Sequence, residues 1–430
     1  MSFDKTFCPS PWIHTGINNL GEYEYCRWAV KDRRESKFGT TINDKSPKEY
    51  FQEEMSEIRL DLLNGKTLPG CNECSLMERH GKVSGREKQL LKIGVVKEDP
   101  ILSLRSSPWI REFKNSLDNN GIIKLMPQDW QINLGNYCNS GCVFCSPHAS
   151  STLETEFKKI GWLEKSVDPN WTTDVKKITK FVNSVADSKI EYIHFIGGET
   201  LITPAFKTIL KSLVDLGIGD DLNIGFTTNL TIWKDEIIDL FKKFKSIHVG
   251  VSVECLHPVN DYIRYGSKID VVKENLDRWC KISKENHWLM QIRTTPTLLS
   301  IMYLDDLYEY AYNNLITIES CNFIDKPEFL RPSVLPEKTR KLALEKLKKW
   351  ISSKNKEIEK TVINVRNINF VHAQLLQDAE SYVNYLENQE YETSRLSDTV
   401  VYLKTLEKSR GNSILNYLPE YEELFRSVGY

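Results

Sequence analysis

Hydrophobic and polar positions alternate with two different periods along the chain. From about residue 130, short runs rich in β-branched and aromatic residues recur, namely WQINLGNYC, KIEYIHFIGG, LNIGFTTN, SIHVGVSVE, WLMQIRTTPT and LITIESCNFI. Between them, stretches such as TTDVKKITKFVNSVAD and PAFKTILKSLVDLG place apolar residues at i, i+3 and i+4. The first pattern predicts strands and the second predicts amphipathic helices. Because strands and helices alternate, we expect an α/β fold with a parallel sheet.

The number of strand–helix units favours a partial six-strand (β/α) barrel at residues 126–330. Six units are fewer than a closed eight-unit barrel needs. The predicted strands end in Gly, Thr, Asn, Glu or Cys. Such polar strand ends are typical of the mouth of a barrel, where active sites collect.

The two flanking regions have different patterns. Residues 1–125 contain a predicted hairpin turn at Gly21, the helical pattern SPKEYFQEEMSEIRLDLLNG and the segment GCNECSLMERHG, so we expect a small cysteine-rich domain. The proline-containing segment DKPEFLRPSVLPEK marks a break at residues 325–338, and the helical periodicity after it predicts a helical C-terminal cap at residues 331–430. Its patterns HAQLLQDAESYVNYLENQ and SRLSDTVVYLKTLEKSRG either pack on the barrel or clamp a peptide or partner.

Composition and charge narrow the function classes. The chain has 430 residues, of which 40% are hydrophobic and 27% charged, as in ordinary globular proteins. With 57 basic and 59 acidic residues, the net charge of -2 provides no global field toward nucleic acid or an anionic membrane. The start MSFDKTFCPSPW lacks a signal-peptide pattern, and no 18-residue apolar run occurs, so we expect a cytoplasmic protein.

Three of the ten cysteines lie within eight positions. The stretch NYCNSGCVFCSPHASS carries Cys138, Cys142 and Cys145 with C-x3-C-x2-C spacing. In a reducing compartment, clustered cysteines indicate metal binding or catalysis. One interpretation is a zinc site completed by His148, since tetrahedral zinc takes four ligands. The other is a four-iron four-sulfur (4Fe-4S) cluster with three protein ligands, which leaves one iron open to a small molecule.

The cysteine loop, with the aromatic Phe144 before its third cysteine and a predicted strand before its first, resembles the signature loop of radical S-adenosylmethionine (SAM) enzymes. The resemblance implies that the open iron chelates the amino and carboxylate groups of SAM. One electron then cleaves SAM into methionine and a 5′-deoxyadenosyl radical, which abstracts an unactivated hydrogen from the substrate. A reducing electron donor such as flavodoxin or ferredoxin is also implied.

The end of the second predicted strand is similar to another element of that family. HFIGGET resembles the Gly-Gly-Glu-Pro motif, which holds the methionine amino group of SAM. Gly197, Gly198 and Glu199 match the motif, whereas Thr200 departs from it. The departure affects the proline that shapes the turn and leaves the carboxylate in place.

Further strand ends resemble the family in the expected order. In VGVSVECLHPVNDYIR, Ser252 and Arg264 match residues that bind the ribose and carboxylate of SAM, and a guanidinium fork suits a carboxylate. Glu254 stands where relatives often carry Asp. Thr228 and Asn229 resemble the polar tip of the preceding strand. The resemblance thus implies a SAM site made from several strand ends.

A second set of cysteines lies in the N-terminal region. Cys8, Gly21 and Cys26 give C-x12-G-x4-C, and Cys71 with Cys74 gives C-x2-C. The first spacing resembles the hairpin half of SPASM and twitch auxiliary-cluster domains, although those commonly follow the barrel and a full SPASM domain has three more cysteines. The resemblance implies the shorter twitch type, with one auxiliary 4Fe-4S cluster. A structural zinc held by the same four thiolates is the alternative.

Three cysteines remain outside both sets. Cys280 follows Trp279 on a predicted helix and is expected in the core. Cys255 and Cys321 fall at predicted strand ends that face the barrel mouth. A thiol there either donates a hydrogen atom to a substrate radical, as in peptide epimerases of the superfamily, or is buried and inert. Cys321 is the candidate catalytic residue of the two.

Several functions fit these patterns. The twitch or SPASM resemblance favours an enzyme that modifies a ribosomally made peptide. The alternative is dehydrogenation or rearrangement of a small molecule such as a sugar, nucleotide or amino acid. RNA modification is disfavoured by the near-zero net charge. A non-catalytic iron–sulfur or zinc protein is disfavoured by the complete set of SAM motifs.

Overall fold

The structure is a computed structural model that describes residues 7–27, 40–81, 83–95, 103, 107–167, 170–188, 190–318, 324, 326–361 and 368–430. Two compact units are present. Unit 1 comprises Met1–Gly135, Asp168–Phe226 and Asp235–Ile247. Unit 2 comprises Asn136–Val167, Thr227–Lys234 and His248–Tyr430. The domain boundaries expected from the sequence, near residues 125 and 330, stay predictions.

Eight strands form one mainly parallel sheet, in the order β10-β9-β7-β6-β5-β3-β1-β2. The described residues contain ten strands, namely β1 (His14–Ile17), β2 (Tyr23–Glu24), β3 (Asp129–Asn133), β4 (Gly141–Cys142), β5 (Tyr192–Ile196), β6 (Asn223–Thr228), β7 (Ser246–Ser252), β8 (Arg264–Tyr265), β9 (Leu289–Arg293) and β10 (Thr317–Ile318). Strands β4 and β8 lie outside this sheet and pair with each other. Each of the six predicted strands has a counterpart in this sheet. The expected α/β fold is confirmed, and the sheet is consistent with a partial barrel.

The helices follow the amphipathic stretches of the sequence. In unit 1 they are α1 (Ser10–Ile13), α2 (Pro47–Glu49), α3 (Ser56–Leu63), α4 (Asn72–Arg79), α5 (Gly85–Lys92), α6 (Trp109–Asp118), α8 (Val175–Ala186), α9 (Pro204–Asp215) and α10 (Asp235–Phe241). In unit 2 they are α7 (Ser151–Lys159), α11 (Val259–Ile263), α12 (Ile269–Glu285), α13 (Leu304–Asn314), α14 (Glu337–Thr361), α15 (Ile368–Asn388), α16 (Leu396–Arg410) and α17 (Glu422–Arg426). None of the described helices is long and apolar enough to cross a membrane.

In unit 1, the N-terminal segment joins the sheet through β1. Strand β1 pairs in parallel with β3, and His14 lies opposite Asp129. The Asp129 carboxylate accepts a hydrogen bond from His14. It also forms ion pairs with Arg27 Nη2 and Lys92 Nζ, each at 2.5 Å. Although burial raises the pKa of Asp129, these cations hold it well below its usual range. A buried carboxylate with three cationic or donor partners thus fixes the N-terminal segment to β3.

Each unit has its own apolar core. In unit 1, Phe226 stacks on Phe241 at 4.8 Å, and Phe195 meets Phe206 edge-on at 5.2 Å, so the helices cover the sheet with aromatic side chains. In unit 2, strand β9 pairs in parallel with both β7 and β10. Tyr308 of α13 donates a hydrogen bond of 2.6 Å to Asp378 of α15. The C-terminal helices therefore share a core with α13.

Candidate active site

The cysteine loop begins sooner than its sequence pattern predicts. Strand β3 ends at Asn133 and not at Tyr137. The loop then forms the short strand β4, which pairs antiparallel with β8 so that Cys142 lies opposite Arg264. Cys142 is buried, whereas Cys138 and Cys145 are partly exposed. A two-stranded ribbon therefore fixes the middle thiol and leaves the outer two on the loop.

The three thiols influence one another electrostatically. Burial, the neighbouring Cys142 and then Cys138 raise the pKa of Cys145 to about 12. Burial also raises the pKa of Cys142, although Arg264 opposes that rise. Three thiolates this close repel one another, so a bound cationic centre is needed to hold all three deprotonated. The donor set fits an iron–sulfur cluster, whose irons are ligated by thiolates.

Arg264 connects the cysteine loop to a buried carboxylate. Its Nε and Nη2 donate to Glu254 Oε1 at 3.1 and 2.5 Å, and its Nη1 lies 3.8 Å from Cys142 Sγ. The guanidinium also lies 5.6 Å from the centre of the Phe144 ring. The fork that the sequence assigns to the SAM carboxylate is thus paired with Glu254 in this structure. Its role toward SAM stays a prediction.

Glu254 is fully buried and its second oxygen is also bonded. Oε2 accepts hydrogen bonds from the Thr294 hydroxyl at 3.1 Å and from the Thr295 backbone N–H at 2.6 Å. The Glu254 backbone N–H donates to Asn260 at 3.1 Å. This carboxylate therefore positions Arg264 and is itself held by the residues that follow β9.

The polar tip of β6 also contacts the cysteine loop. Asn229 Nδ2 donates to Asn139 Oδ1 at 3.0 Å and to Ser140 Oγ at 2.9 Å. The Thr228 hydroxyl accepts the Leu230 backbone N–H at 3.2 Å, which shapes the tip itself. The structure gives Asn229 a supporting role between Cys138 and Cys142, and the predicted contacts of Thr228 and Asn229 with SAM stay predictions.

Ser252 is the last residue of β7 and is half-buried. It pairs in register with Arg293 of β9. The structure thus places it at a strand end, as the sequence predicts. Its contact with SAM stays a prediction.

The glycine turn after β5 lies in unit 1. Gly197 and Gly198 have φ values of 106° and 47°, which favour glycine. A Cβ on Gly197 would lie 2.3 Å from Asn133 Oδ1 and 2.6 Å from the Gly135 carbonyl oxygen. Glu199 is fully buried, and its Oε1 accepts the Leu201 N–H at 3.0 Å. Glycine is therefore needed at 197 both for backbone conformation and for close contact with the end of β3.

Gly197→Ala is expected to lower the free energy of unfolding by about 2 kcal/mol or more, because backbone strain and steric overlap add. Gly217→Ala is the matched control, since Gly217 also has positive φ, at 72°, but has nothing within 4 Å of an added Cβ. The control should cost only about 1 kcal/mol. Urea unfolding of both variants measures the difference. Equal losses would mean that the contact at Gly197 is not tight.

The four N-terminal cysteines lie near the ends of helices and a strand of unit 1. Cys8 precedes α1, Cys26 follows β2, and Cys71 and Cys74 lie at the start of α4. Burial raises the pKa of Cys8 well above its usual value, and the other three thiols raise it further. Among the described residues, no group of three or more His, Cys, Asp or Glu side chains is arranged around a single metal ion. A 4Fe-4S cluster makes a different demand, because each thiolate binds its own iron.

Two predictions about other cysteines have different outcomes. Cys280 is buried on α12 with its Sγ 3.4 Å from the Tyr310 hydroxyl, as expected for a core residue. Cys321 lies outside the described residues, so its role as a hydrogen donor stays a prediction.

The sequence did not indicate that α16 contacts the cysteine loop. Tyr402 donates from its hydroxyl to the Val143 carbonyl at 2.8 Å, and Arg410 Nη2 donates to the Gly141 carbonyl at 2.8 Å. The amphipathic pattern of SRLSDTVVYLKTLEKSRG predicts the helix and its packing. It does not identify the partner of the face that carries Tyr402 and Arg410.

Comparison with protein families assigns the central region. A family model described as the Radical SAM superfamily matches residues 132–311. This part of the chain is a radical SAM domain. The resemblance seen in the cysteine loop and the later strand ends is thereby confirmed at the level of the superfamily, which is a family of enzymes that use a 4Fe-4S cluster and SAM. The twitch or SPASM-like assignment of the N-terminal region stays a prediction.

Solved radical SAM structures are distantly similar to the chain. Streptococcus suis SuiB bound to S-adenosylmethionine is 15% identical, with 72% of this chain and 64% of SuiB covered and a TM-score of 0.36. anSMEcpe with bound AdoMet and Kp18Cys peptide is 14% identical, with coverages of 54% and 61% and a TM-score of 0.39. TsrM from Kitasatospora setae with cobalamin and a 4Fe-4S cluster is 13% identical, with coverages of 45% and 34% and a TM-score of 0.34.

These matches cover only part of the solved proteins. The chain spans less than two thirds of the length of SuiB bound to S-adenosylmethionine and of anSMEcpe. No curated protein matches the chain.

Proposed function

We propose that this protein is a radical SAM enzyme in which Cys138, Cys142 and Cys145 hold the 4Fe-4S cluster and in which the substrate is a ribosomally made peptide. The observation that carries the cluster assignment is the cysteine loop itself. Three thiols lie on one short loop, their charges interact, and a buried cation is hydrogen-bonded to the middle one. When bound, the cluster and SAM supply reductive cleavage of SAM and hydrogen abstraction from the substrate.

The residues around the cysteine loop are assigned to two roles, which are to orient the Arg264 guanidinium and to bind SAM. Arg264 directs one N–H to Cys142, while Glu254 holds the other side of the guanidinium. The Phe144 ring lies 5.6 Å from the Arg264 guanidinium, which is within the range of a cation–π contact. We assign Gly197, Gly198 and Glu199 to the SAM amino group, and Ser252, Thr228 and Asn229 to its polar surroundings. The assignment of these residues rests on the family resemblance of their motifs.

We also propose that Cys8, Cys26, Cys71 and Cys74 hold a second 4Fe-4S cluster. Four thiolates saturate such a cluster, so it serves as an electron relay or a shield and does not bind SAM. The influence of the Cys26, Cys71 and Cys74 thiols on the pKa of Cys8, together with the spacing of the four cysteines, supports a shared cluster. Measurement of zinc in the reconstituted protein tests the alternative, because about one zinc atom per chain with about four irons would contradict the second cluster.

The peptide assignment rests on the C-x12-G-x4-C spacing, which resembles auxiliary-cluster domains of peptide-modifying enzymes. The test incubates reduced enzyme and SAM with short peptides encoded beside its gene, and separately with sugars, nucleotides and amino acids. We expect a peptide to raise the rate of 5′-deoxyadenosine formation above the rate without substrate. A rise only with a small molecule would contradict the peptide assignment and favour a dehydrogenase or rearrangement enzyme.

Arg264→Ala is expected to weaken SAM binding by about 1.5–3 kcal/mol, the range for loss of a charged hydrogen-bonding partner, without loss of the SAM-binding cluster. Calorimetric titration with SAM under anaerobic conditions measures the change. Arg278→Ala removes an exposed arginine of α12 that lies over Trp233, and should leave SAM affinity unchanged. Unchanged affinity in Arg264→Ala would mean that the guanidinium serves Glu254 and Cys142 but not SAM.

A further inference from the structure

Helix α16 lies outside residues 132–311, yet it contacts the cysteine loop at two backbone carbonyls. Tyr402 bonds the carbonyl of Val143, which lies between Cys142 and Cys145. Arg410 bonds the carbonyl of Gly141, which lies between Cys138 and Cys142. Helix α16 thus provides one hydrogen-bond donor to each of the two loop segments that separate the three cysteines.

Arg410 is held in place by a buried carboxylate. Its Nε and Nη2 donate to Glu156 Oε1 and Oε2 at 2.9 and 2.7 Å, a bidentate pair with side-chain exposures of 2% for Arg410 and 8% for Glu156. Glu156 belongs to α7, which directly follows the cysteine loop. The guanidinium also lies 4.5 Å from the Tyr265 ring centre. Arg410 therefore joins α16, α7, β8 and the loop in one fixed geometry.

Glycine at 141 permits this close approach. A Cβ at that position would lie 3.2 Å from Arg410 Nη2, which is a tight contact. The absence of a side chain lets the guanidinium reach the backbone carbonyl. The contact between Arg410 and the loop therefore favours glycine at position 141.

Helix α16 also contacts α11, the short helix that directly precedes the strand carrying Arg264. Glu407 Oε1 accepts the Tyr262 hydroxyl at 3.0 Å, and Tyr262 lies two residues before Arg264. The same oxygen accepts the Ile414 N–H at 2.7 Å. Both strands of the β4–β8 ribbon are therefore fixed to a single helix.

The two carbonyl contacts have an electrostatic consequence for the thiols. The carbonyl of Gly141 and the N–H of Cys142 share one trans peptide unit and point in opposite directions. Because Arg410 holds the carbonyl, it also fixes the orientation of the Cys142 N–H, which belongs to the residue that carries the middle thiol. Hydrogen bonds to thiolate sulfur tune the potential of an iron–sulfur cluster. Arg410 also places a buried positive charge against the loop, with Nη2 2.8 Å from the Gly141 carbonyl oxygen.

We propose that Arg410 and Tyr402 are positioning residues that set the reduction potential of the SAM-binding cluster by fixing the peptide dipoles of the cysteine loop. Positive charge beside the loop stabilises the reduced cluster, which carries one more electron. The proposal rests on the proposed function, because it requires the cluster to be bound at Cys138, Cys142 and Cys145.

The test measures the midpoint potential of the cluster whose reduced EPR signal changes on addition of SAM. Arg410→Gln is expected to shift this potential to more negative values, since Glu156 then keeps its charge without a cation. Arg410→Lys keeps the charge but loses the fork, so a smaller shift is expected. Lys408→Gln is the matched control, because Lys408 is an exposed cation of the same helix. The cluster in this variant should have the same midpoint potential as in the wild type.

Tyr402→Phe removes one hydroxyl and keeps the ring stacked on Trp162 at 5.3 Å. Tyr402→Phe should also lower the midpoint potential, by less than Arg410→Gln does. If circular dichroism shows that Arg410→Gln is unfolded, the potential of Tyr402→Phe serves as the test. Equal potentials in wild type, Tyr402→Phe and any folded Arg410 variant would overturn the inference. Absence of a SAM-responsive signal in the wild type would instead contradict the proposed function, so the two failures are distinguishable.

Discussion

Replacement of Cys138, Cys142 and Cys145 together by alanine is expected to halve the bound iron, from about eight to about four atoms per chain, because one of two 4Fe-4S clusters loses all its protein ligands. SAM cleavage should be abolished at the same time. Loss of one thiol from a three-ligand site already weakens it, and loss of three leaves no anchor for the cluster. Iron is measured colorimetrically after anaerobic reconstitution, with zinc measured in the same samples.

Cys280→Ala is the control variant, because it removes a buried thiol that belongs neither to the cysteine loop nor to the four N-terminal cysteines. It should retain about eight irons per chain, since the Cys280 thiol of α12 contacts the Tyr310 hydroxyl of α13 and belongs to neither proposed ligand set. Cys71→Ala with Cys74→Ala should also leave about four irons but keep the response to SAM. An unchanged iron content in the triple loop variant would contradict the assignment of the loop as a cluster site.

Glu254→Ala is expected to lower the free energy of unfolding by about 3–5 kcal/mol, the range for removal of one partner from a buried ion pair. The side chains of Glu254 and Arg264 are 0% and 10% exposed, so the remaining guanidinium would be left without its charge partner away from water. The hydroxyl of Thr294 and the N–H of Thr295 would lose their acceptor as well. Urea unfolding of the iron-free protein measures the loss.

Glu236→Ala provides the matched comparison for this prediction. Glu236 forms an ion pair with Lys207 in which the side chains are 54% and 49% exposed, and such pairs contribute about 1 kcal/mol or less. Glu254→Ala should therefore be clearly the less stable variant. A loss no larger than that of Glu236→Ala would show that water or a shifted side chain replaces Glu254, and that Arg264 does not depend on it.

The strands of the barrel were predictable because they are apolar, short and separated by helical periodicity. Ile193, Phe195 and Phe226, for example, are fully buried in strands that the sequence pattern identifies. The end of β3 was misplaced, because LGNYC continues the apolar run although the chain has already turned at Gly135, whose φ is 118°. A turn that depends on one glycine inside an apolar run gives little signal in periodicity.

The attachment of the N-terminal segment to the sheet could not be predicted from local pattern. It depends on the pairing of His14 with Asp129, which are 115 positions apart. Burial of the His14 and Asp129 side chains is tolerated because the Asp129 carboxylate is paired with His14, Arg27 and Lys92. In the sequence, each of them is indistinguishable from a surface charge.

The candidate site, like the fold, has features that the sequence predicts and features that it does not. The spacing of the loop cysteines indicated the thiol set, because metal ligands on one loop are close in sequence. The contacts of α16 with the loop join residues 259 and 269 positions apart, and a helical pattern does not specify the partner of its face. The pairing of Arg264 with Glu254, ten positions apart, was also missed, since the family motif assigns the guanidinium to SAM.

The most direct test of the central claim is the EPR spectrum of the anaerobically reduced protein before and after addition of SAM. We expect the spectrum of one cluster to change on SAM addition, in the wild type and in the Cys71→Ala with Cys74→Ala variant alike. No change is expected when Cys138, Cys142 and Cys145 are alanine. A reduced wild-type protein whose iron–sulfur spectrum is unaffected by SAM, or a SAM response that survives loss of the three loop thiols, would contradict the assignment of the SAM-binding cluster to this loop.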